Sequence, residues 1–277
     1  MTDYSISINQ QYGQRDLIFR ILEAIEDANI EMNSQTIEDF AWFDQLHAGG
    51  IRSTRELKKR VGINPGMKVL DIGCGIGGPA RTLAADFDCK VLGIDITEEY
   101  VRAARMLTKL LHLSNNADFE IGDALNLRFS NESFDVVWNQ STFMNINDKT
   151  QMLNEIHRVL RKDGIFVFEA QMKGIKEESQ FPVLWADSPD LSFMITSEEF
   201  RQLVRDIGFT ERIWEDITIQ YLNLGDEKRK PMHEISHPLH KIFSLVQSNW
   251  KQKRENTLMG LRDGTYTHVY AVYSIAA

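Results

Sequence analysis

Val69-Leu70-Asp71-Ile72-Gly73-Cys74-Gly75-Ile76-Gly77-Gly78 decides the fold: an apolar run meets four glycines and passes into a helical stretch that opens near Pro79. Glycine lets the backbone turn sharply and approach a ligand closely, and the start of a helix presents unpaired amides there. Alone, such a glycine pattern is a weak signal. Here a strand precedes it, a helix follows it, and Gly93-Ile94-Asp95 closes the next apolar run about twenty residues on. A carboxylate at that place accepts hydrogen bonds from the hydroxyls of a ribose.

Outward from this turn the chain alternates short apolar runs with helical stretches, the pattern of a parallel sheet with crossover helices. The expected strands are MKVLDI (67–72), KVLGID (90–95), DFEIGD (118–123), FDVVWNQ (134–140) and GIFVFEA (164–170). Between them lie helices at 77–86 and 97–112, a brief turn at 124–127, and a helix at 148–161. A helix at 197–207 leads through Gly208 to a sixth strand, TERIWEDIT (210–218). The turn Arg262-Asp263-Gly264 precedes a seventh, THVYAVYSIA (267–276). Residues 220–258 are polar and helical in pattern, and too long for a hairpin loop. Upstream, Leu17, Ile18, Ile21, Leu22 and Ile25 put one apolar face on a helix over 15–30. A second helical stretch at 34–45 runs into His47-Ala48-Gly49-Gly50, and a third ends near Val61. The chain therefore divides into a helical extension (1–60), an α/β core (61–219), a helical insertion (220–258) and a closing strand (259–277).

The 277 residues carry a formal charge of -9, which opposes the dense phosphate charge of a nucleic acid and favours a small-molecule partner. No apolar run nears the roughly 20 residues that span a bilayer, and MTDYSISINQQYGQRD lacks the basic, then apolar, profile of a signal peptide. Cys74 and Cys89, the only cysteines, read as reduced thiols. A cytoplasmic monomer or homodimer with no membrane span is the expectation.

Two ligand classes suit the glycine turn. A dinucleotide seats its pyrophosphate on the helix start. Asp71 opposes that, because a carboxylate two residues before the first glycine repels phosphate and attracts a ligand bearing an ammonium and a sulfonium. Asp123, in Ile121-Gly122-Asp123-Ala124, offers a third acceptor to an adenine amino group. Three carboxylates at three strand ends favour S-adenosyl-L-methionine over a dinucleotide.

At these residues the chain resembles the class I S-adenosylmethionine-dependent methyltransferases: Asp71, Gly73, Gly75 and Gly77 match their first motif, and Asp95 their ribose-binding acid. The resemblance implies a Rossmann-like, seven-stranded, mostly parallel α/β sheet with helices on both faces and an antiparallel last strand. It implies cofactor contacts from Asp71, Gly73, Gly75, Gly77 and Asp95, and Cys74, Ile96, Asp123, Ala124 and Asn139 are the cofactor-side candidates beside them. More narrowly, Asp44-Gln45-Leu46-His47-Ala48-Gly49-Gly50, Gly75-Ile76-Gly77-Gly78-Pro79-Ala80-Arg81 and Pro182-Val183-Leu184-Trp185-Ala186 resemble sarcosine/dimethylglycine and phosphoethanolamine-type N-methyltransferases. Quinone, tocopherol and sterol methyltransferases are related, so the resemblance implies a small-molecule methyl acceptor, with C- or O-methylation as the alternative to N-methylation. Many relatives carry a histidine after the fourth strand; Asn145 stands there in this chain.

Methyl transfer from a sulfonium is an in-line displacement with a good leaving group, so alignment and water exclusion matter more than acid-base chemistry. His47, Gln140 and Glu169 are the catalytic candidates, as proton acceptor, acceptor-orienting amide and carboxylate facing an amine. Their structural alternatives are a loop hydrogen bond, a strand-end cap and an exposed strand-end charge. Asn139 has the same strand-end alternative. Tyr12, Asn145 and Trp185 are the substrate-side candidates, with simple packing as the alternative for Tyr12 and Trp185. Trp185, Trp214 and Trp250 raise the thought of an aromatic box for a quaternary ammonium, though scattered tryptophans are more often core or rim. His233, His237 and His240 have near-helical spacing, but Pro238 interrupts their face and no metal site is expected.

Overall fold

The N-terminal helix α1 (Leu17–Asp27) forms where the apolar spacing places it, burying Leu17, Ile21 and Ile25. The computed structural model describes residues 7, 11–13, 16–27, 35–177, 180–227, 240–246 and 248–275. Among the described residues of the stretch expected to be helical over 34–45, the α-helix is α2 (Ile37–Phe40), capped by a reciprocal Thr36–Asp39 box. After it the chain turns so that Phe43 and Asp44 are both buried. Then α3 (Ile51–Arg60) leads into the core.

The core follows in the expected alternation: β1 (Lys68–Ile72), α4 (Gly78–Phe87), β2 (Lys90–Asp95), α5 (Glu98–Leu110), β3 (Ala117–Ile121), β4 (Phe134–Gln140), α6 (Lys149–Val159) and β5 (Leu160–Lys173). It continues with α7 (Ser197–Ile207), β6 (Phe209–Asp216), α8 (Thr218–Glu227), α9 (His240–Val246), α10 (Trp250–Asp263) and β7 (Tyr266–Ile275). Seven strands form one sheet in the order β3-β2-β1-β4-β5-β7-β6. The first five run parallel, and β7 is antiparallel to both β5 and β6. The strand order reverses between β1 and β4, which opens a crevice at the carboxyl ends of those strands.

Boundaries moved where pairing or capping outweighed local pattern. β5 extends to Lys173 because β7 pairs with it from Ile165 to the end. The sixth strand stops at Asp216, since Thr218 already begins α8. Arg262 and Asp263, expected in a turn, complete α10, which left-handed Gly264 terminates.

Side chains alternate across the sheet, so each strand feeds two cores. Leu70, Ile72, Val137, Phe166 and Phe168 face one; Val69, Val136, Trp138, Val167, Tyr270 and Val272 face the other. The same alternation carries Asp71, Gln140, Glu169 and His268 onto that second face, on four adjacent strands. A third cluster joins Leu17, Ile21, Phe40 and Phe43 to Tyr100 and Leu107 of α5 and to Ile242 and Val246 of α9. The extension and the insertion thus meet each other over the core. Among the described residues no helix is long and apolar enough to cross a membrane.

Candidate functional site

The glycine turn joins β1 to α4 with Gly73, Gly75 and Gly77 all at positive φ. At Gly73 a Cβ would lie 2.1 Å from Thr142 Oγ1, and at Gly78 2.4 Å from the Asp44 carbonyl oxygen, so protein packs against these two. Gly75 differs: the nearest neighbour of a Cβ there is the flexible end of Leu46, at 3.3 Å. Its N–H donates to Asp95 Oδ2 at 2.9 Å, and Thr97 N–H donates to Oδ1 at 2.9 Å. Cys74 is buried within the turn, its thiol 3.7 Å from the Gly75 carbonyl.

Asp71 is 1% exposed, and its Oδ2 has no hydrogen-bond partner. Burial, with the charge of Asp95 adding to it, pushes the Asp71 carboxyl up to about 8. Burial also raises the Asp95 carboxyl, against the pull of the Thr97 and Gly75 amides. Asn139 is fully buried; its amide donates to the Ile72 carbonyl at 2.9 Å while its Oδ1 is unpartnered. Two neighbouring acids starved of positive charge, beside an unfilled amide oxygen, fit a ligand with a cationic end and hydroxyl donors. They do not fit a pyrophosphate. S-adenosylmethionine has that chemistry, so Asp71 would meet its charged end and Asp95 its ribose. Asp123 lines a hollow with Ile94, Gly122, Leu127 and Phe129, and its Oδ1 accepts the Leu125 N–H at 2.9 Å. Ala124 is buried in the core beside this hollow, and Ile96, half-buried, follows Asp95.

One pair at this turn escaped the sequence reading. Arg81 and Asp44 form an ion pair at 2.7 Å with both side chains fully buried. Arg81 also donates to the Ile76 carbonyl at 2.8 Å and to Thr108 at 3.1 Å. Gln45 donates to Asp44 at 3.0 Å. The pair fastens the segment before His47 to the helix that carries the glycine turn. The signal was present in Gly78-Pro79-Ala80-Arg81-Thr82-Leu83-Ala84, where one arginine sits in an otherwise small and apolar stretch, all of it buried.

The catalytic candidates do come together. Glu169 is 1% exposed, which rules out the exposed strand-end charge. Its Oε2 accepts from Ser53 at 2.6 Å and Gln140 at 2.7 Å, and its Oε1 lies 2.9 Å from His268 Nε2. Burial pushes the Glu169 carboxyl up, but His268, then His47 and the Ser53 hydroxyl, outweigh it and hold it below the ordinary carboxylate range. Gln140 Oε1 accepts from Trp138 Nε1 at 2.8 Å and Thr54 at 3.1 Å, which fixes the amide. His47 joins through Nδ1, 3.3 Å from Gln140 Nε2, and its Nε2 lies 3.0 Å from Gln45 Oε1. Burial lowers the His47 pKa, with Glu169 opposing, so the ring is neutral near pH 7. Sequence reading missed Ser53 and His268.

A second group closes from the other side. The Trp185 carbonyl receives Gln11 at 2.7 Å, Tyr12 at 2.9 Å and Asn145 at 2.6 Å. Tyr12 also lies 3.2 Å from Asn145 Oδ1, and burial raises its phenol. Trp185 acts here through its backbone: its ring is buried in the core against Tyr266, and its Nε1 donates to Ser192 at 3.0 Å. Trp214 lies beneath Arg201 and Trp250 donates to Ser244, so each has its own packing. His233 and His237 lie outside the described residues, as does the side chain of His240.

A sequence model described as a methyltransferase domain matches residues 63–235. Sarcosine/dimethylglycine N-methyltransferase of Halorhodospira halochloris is 31% identical over 226 residues, covering 79% of this chain and 77% of that protein. Phosphoethanolamine N-methyltransferase 1 of Arabidopsis thaliana is 29% identical over 220 residues, 76% of this chain. The match spans only 43% of the Arabidopsis protein's length. Among solved structures, Haemonchus contortus phosphoethanolamine N-methyltransferase 2, bound to phosphomonomethylethanolamine and S-adenosylhomocysteine, shares the fold with TM-score 0.69 at 19% identity. That likeness covers 100% of this chain and 61% of that one. With its reversed strand order, its glycine turn and its paired acids, the chain belongs to the class I S-adenosylmethionine-dependent methyltransferases.

Proposed function

We propose that this chain transfers the methyl group of S-adenosylmethionine to the nitrogen of a small amine or amino acid. The observation that carries the choice of nitrogen is the state of Glu169. It is a buried carboxylate held in its ionised range on β5 beside the end of β4, and its partners are a hydroxyl, an amide and an imidazole, with no lysine or arginine. A negative charge so placed suits an acceptor that is cationic, or becomes so on methylation, and repels a phenolate.

When bound, the cofactor supplies a methyl group on sulfonium, an electrophile with a good leaving group. Asp71 and Asp95 anchor that cofactor. Gln140, locked by Trp138 and Thr54, orients the acceptor, and neutral His47 takes up a proton that the amine sheds. The Tyr12–Asn145–Trp185 contacts, together with the extension and the 220–258 insertion, exclude water from the reacting pair. Two free, buried cysteines support a cytoplasmic setting.

The test is transfer of label from methyl-labelled cofactor across amines, phenols and quinones. Label on amines, at rates that rise with pH as the free base forms, is the expected result. Label on phenols or carbon acids alone would replace this reading with O- or C-methylation, and cofactor binding without turnover would make the chain a non-catalytic partner.

A further inference from the structure

Beyond the Glu169 network the same face of the sheet carries two polar atoms with nothing to bond. Gln171 and His268 are direct cross-strand partners on β5 and β7. Gln171 follows Glu169 by two residues, so all three side chains leave the sheet on one side. Gln171 is 2% exposed and His268 0%, yet Gln171 Oε1 and His268 Nδ1 have no hydrogen-bond partner. Buried polar atoms are nearly always paired, and two orphans on adjacent residues mark a place built for something else.

Their chemistry says what. Glu169 Oε1, 2.9 Å from His268 Nε2, calls for the tautomer that carries its proton on Nε2. Nδ1 is then left as a bare lone pair, like the carbonyl oxygen of Gln171. His268 is held in this pose, because its backbone N–H donates to Thr218 Oγ1 at 2.8 Å and the Tyr221 ring stacks on the imidazole, centroids 5.1 Å apart. Both residues come from α8, which therefore packs on His268.

We propose that Gln171 Oε1 and His268 Nδ1 form the subsite for the acceptor's amino group, each accepting one N–H. The proposal rests on the N-methylation reading and deepens it. Two acceptors hold a primary amine by its two N–H bonds and leave the nitrogen lone pair unengaged for attack. A secondary amine fills one position and a neutral tertiary amine neither. The subsite therefore ranks acceptors by methylation state, primary over secondary over tertiary, and limits how many methyl groups are added.

The experiment uses the full chain with labelled cofactor and two acceptor series, glycine, sarcosine and dimethylglycine, and ethanolamine with its two N-methyl derivatives. His268→Gln keeps an N–H for Glu169 while removing Nδ1, and Gln171→Met keeps the volume while removing Oε1. Each variant should raise KM for the primary amine about 10-fold or more. For Gln171→Met, which leaves every Glu169 partner in place, KM for the tertiary amine and for cofactor should hold, so that the preference among the three flattens. Thermal melting and cofactor affinity establish that each variant is folded, and either one alone suffices. If amines are methylated but the folded variant keeps the wild-type ranking, the subsite is overturned and the two atoms hold only water. If neither series accepts label while phenols do, the N-methylation reading has failed first and takes the subsite with it.

Discussion

At the ends of β1 and β2 the protein holds two acids, one with an orphaned oxygen and one met by two backbone amides; on β5, between β4 and β7, it holds an acid with three side-chain partners. Asp71 and Asp95 are pushed above the ordinary carboxylate range, whereas Glu169 is held below it. Asp71 and Glu169 are each 1% exposed, so burial alone does not set the outcome. What differs is whether the chain supplies donors: Ser53, Gln140 and His268 for Glu169, and nothing for Asp71 Oδ2. The first region needs a ligand to become electrostatically complete. The second is assembled in advance and presents a fixed field to whatever enters.

The largest effect should come from the link between them. Arg81→Met strands Asp44 as an uncompensated buried charge, and should lower unfolding stability by about 3–5 kcal/mol. A denaturant midpoint that hardly moves would mean the two regions are not joined through this pair. Next, Asp95→Ala removes charge-assisted bonds to the ribose and should weaken cofactor binding by about 1.5–3 kcal/mol. Glu169→Gln should leave cofactor affinity within about twofold, since it acts on the other region. Equal losses from both variants would erase the distinction. On turnover, His47→Ala should cost about 10–100-fold on the best amine and alter the pH–rate profile. An unchanged profile would return His47 to a loop-holding role.

The two regions also differ in how far the sequence reveals them. Asp71 to Gly78 is contiguous and Asp95 ends the next strand, so a local pattern suffices for the cofactor side. Period-two alternation likewise makes the strands legible. Glu169 was found as a strand-end acid, but its partners lie 116, 29 and 99 residues away in the chain, and no local pattern announces that they meet. His268 interrupts an apolar run as its only ring nitrogen donor, a signal that goes unread without the β5–β7 register. Gln171 fell beyond the expected end of β5, because only pairing with β7 extends that strand. The short α2 has a similar cause: helical propensity yields where Asp44 must turn inward to reach Arg81.

The unpaired state of Asp71 gives the most direct test of the account. Its carboxyl, ordinarily near 3.8, stands at about 8 in the cofactor-free protein, where burial favours the protonated form. That contribution to stability is present in full below the ordinary value and is lost as pH rises through the raised one. A cation bound beside Asp71 reverses the preference and expels the proton. Calorimetric titration with S-adenosylmethionine at about pH 7, in two buffers of different protonation enthalpy, should therefore show release of close to one proton (~0.9) on binding, and Asp71→Asn should abolish it. Equal heats in both buffers, or binding of NAD in place of S-adenosylmethionine, would contradict the account.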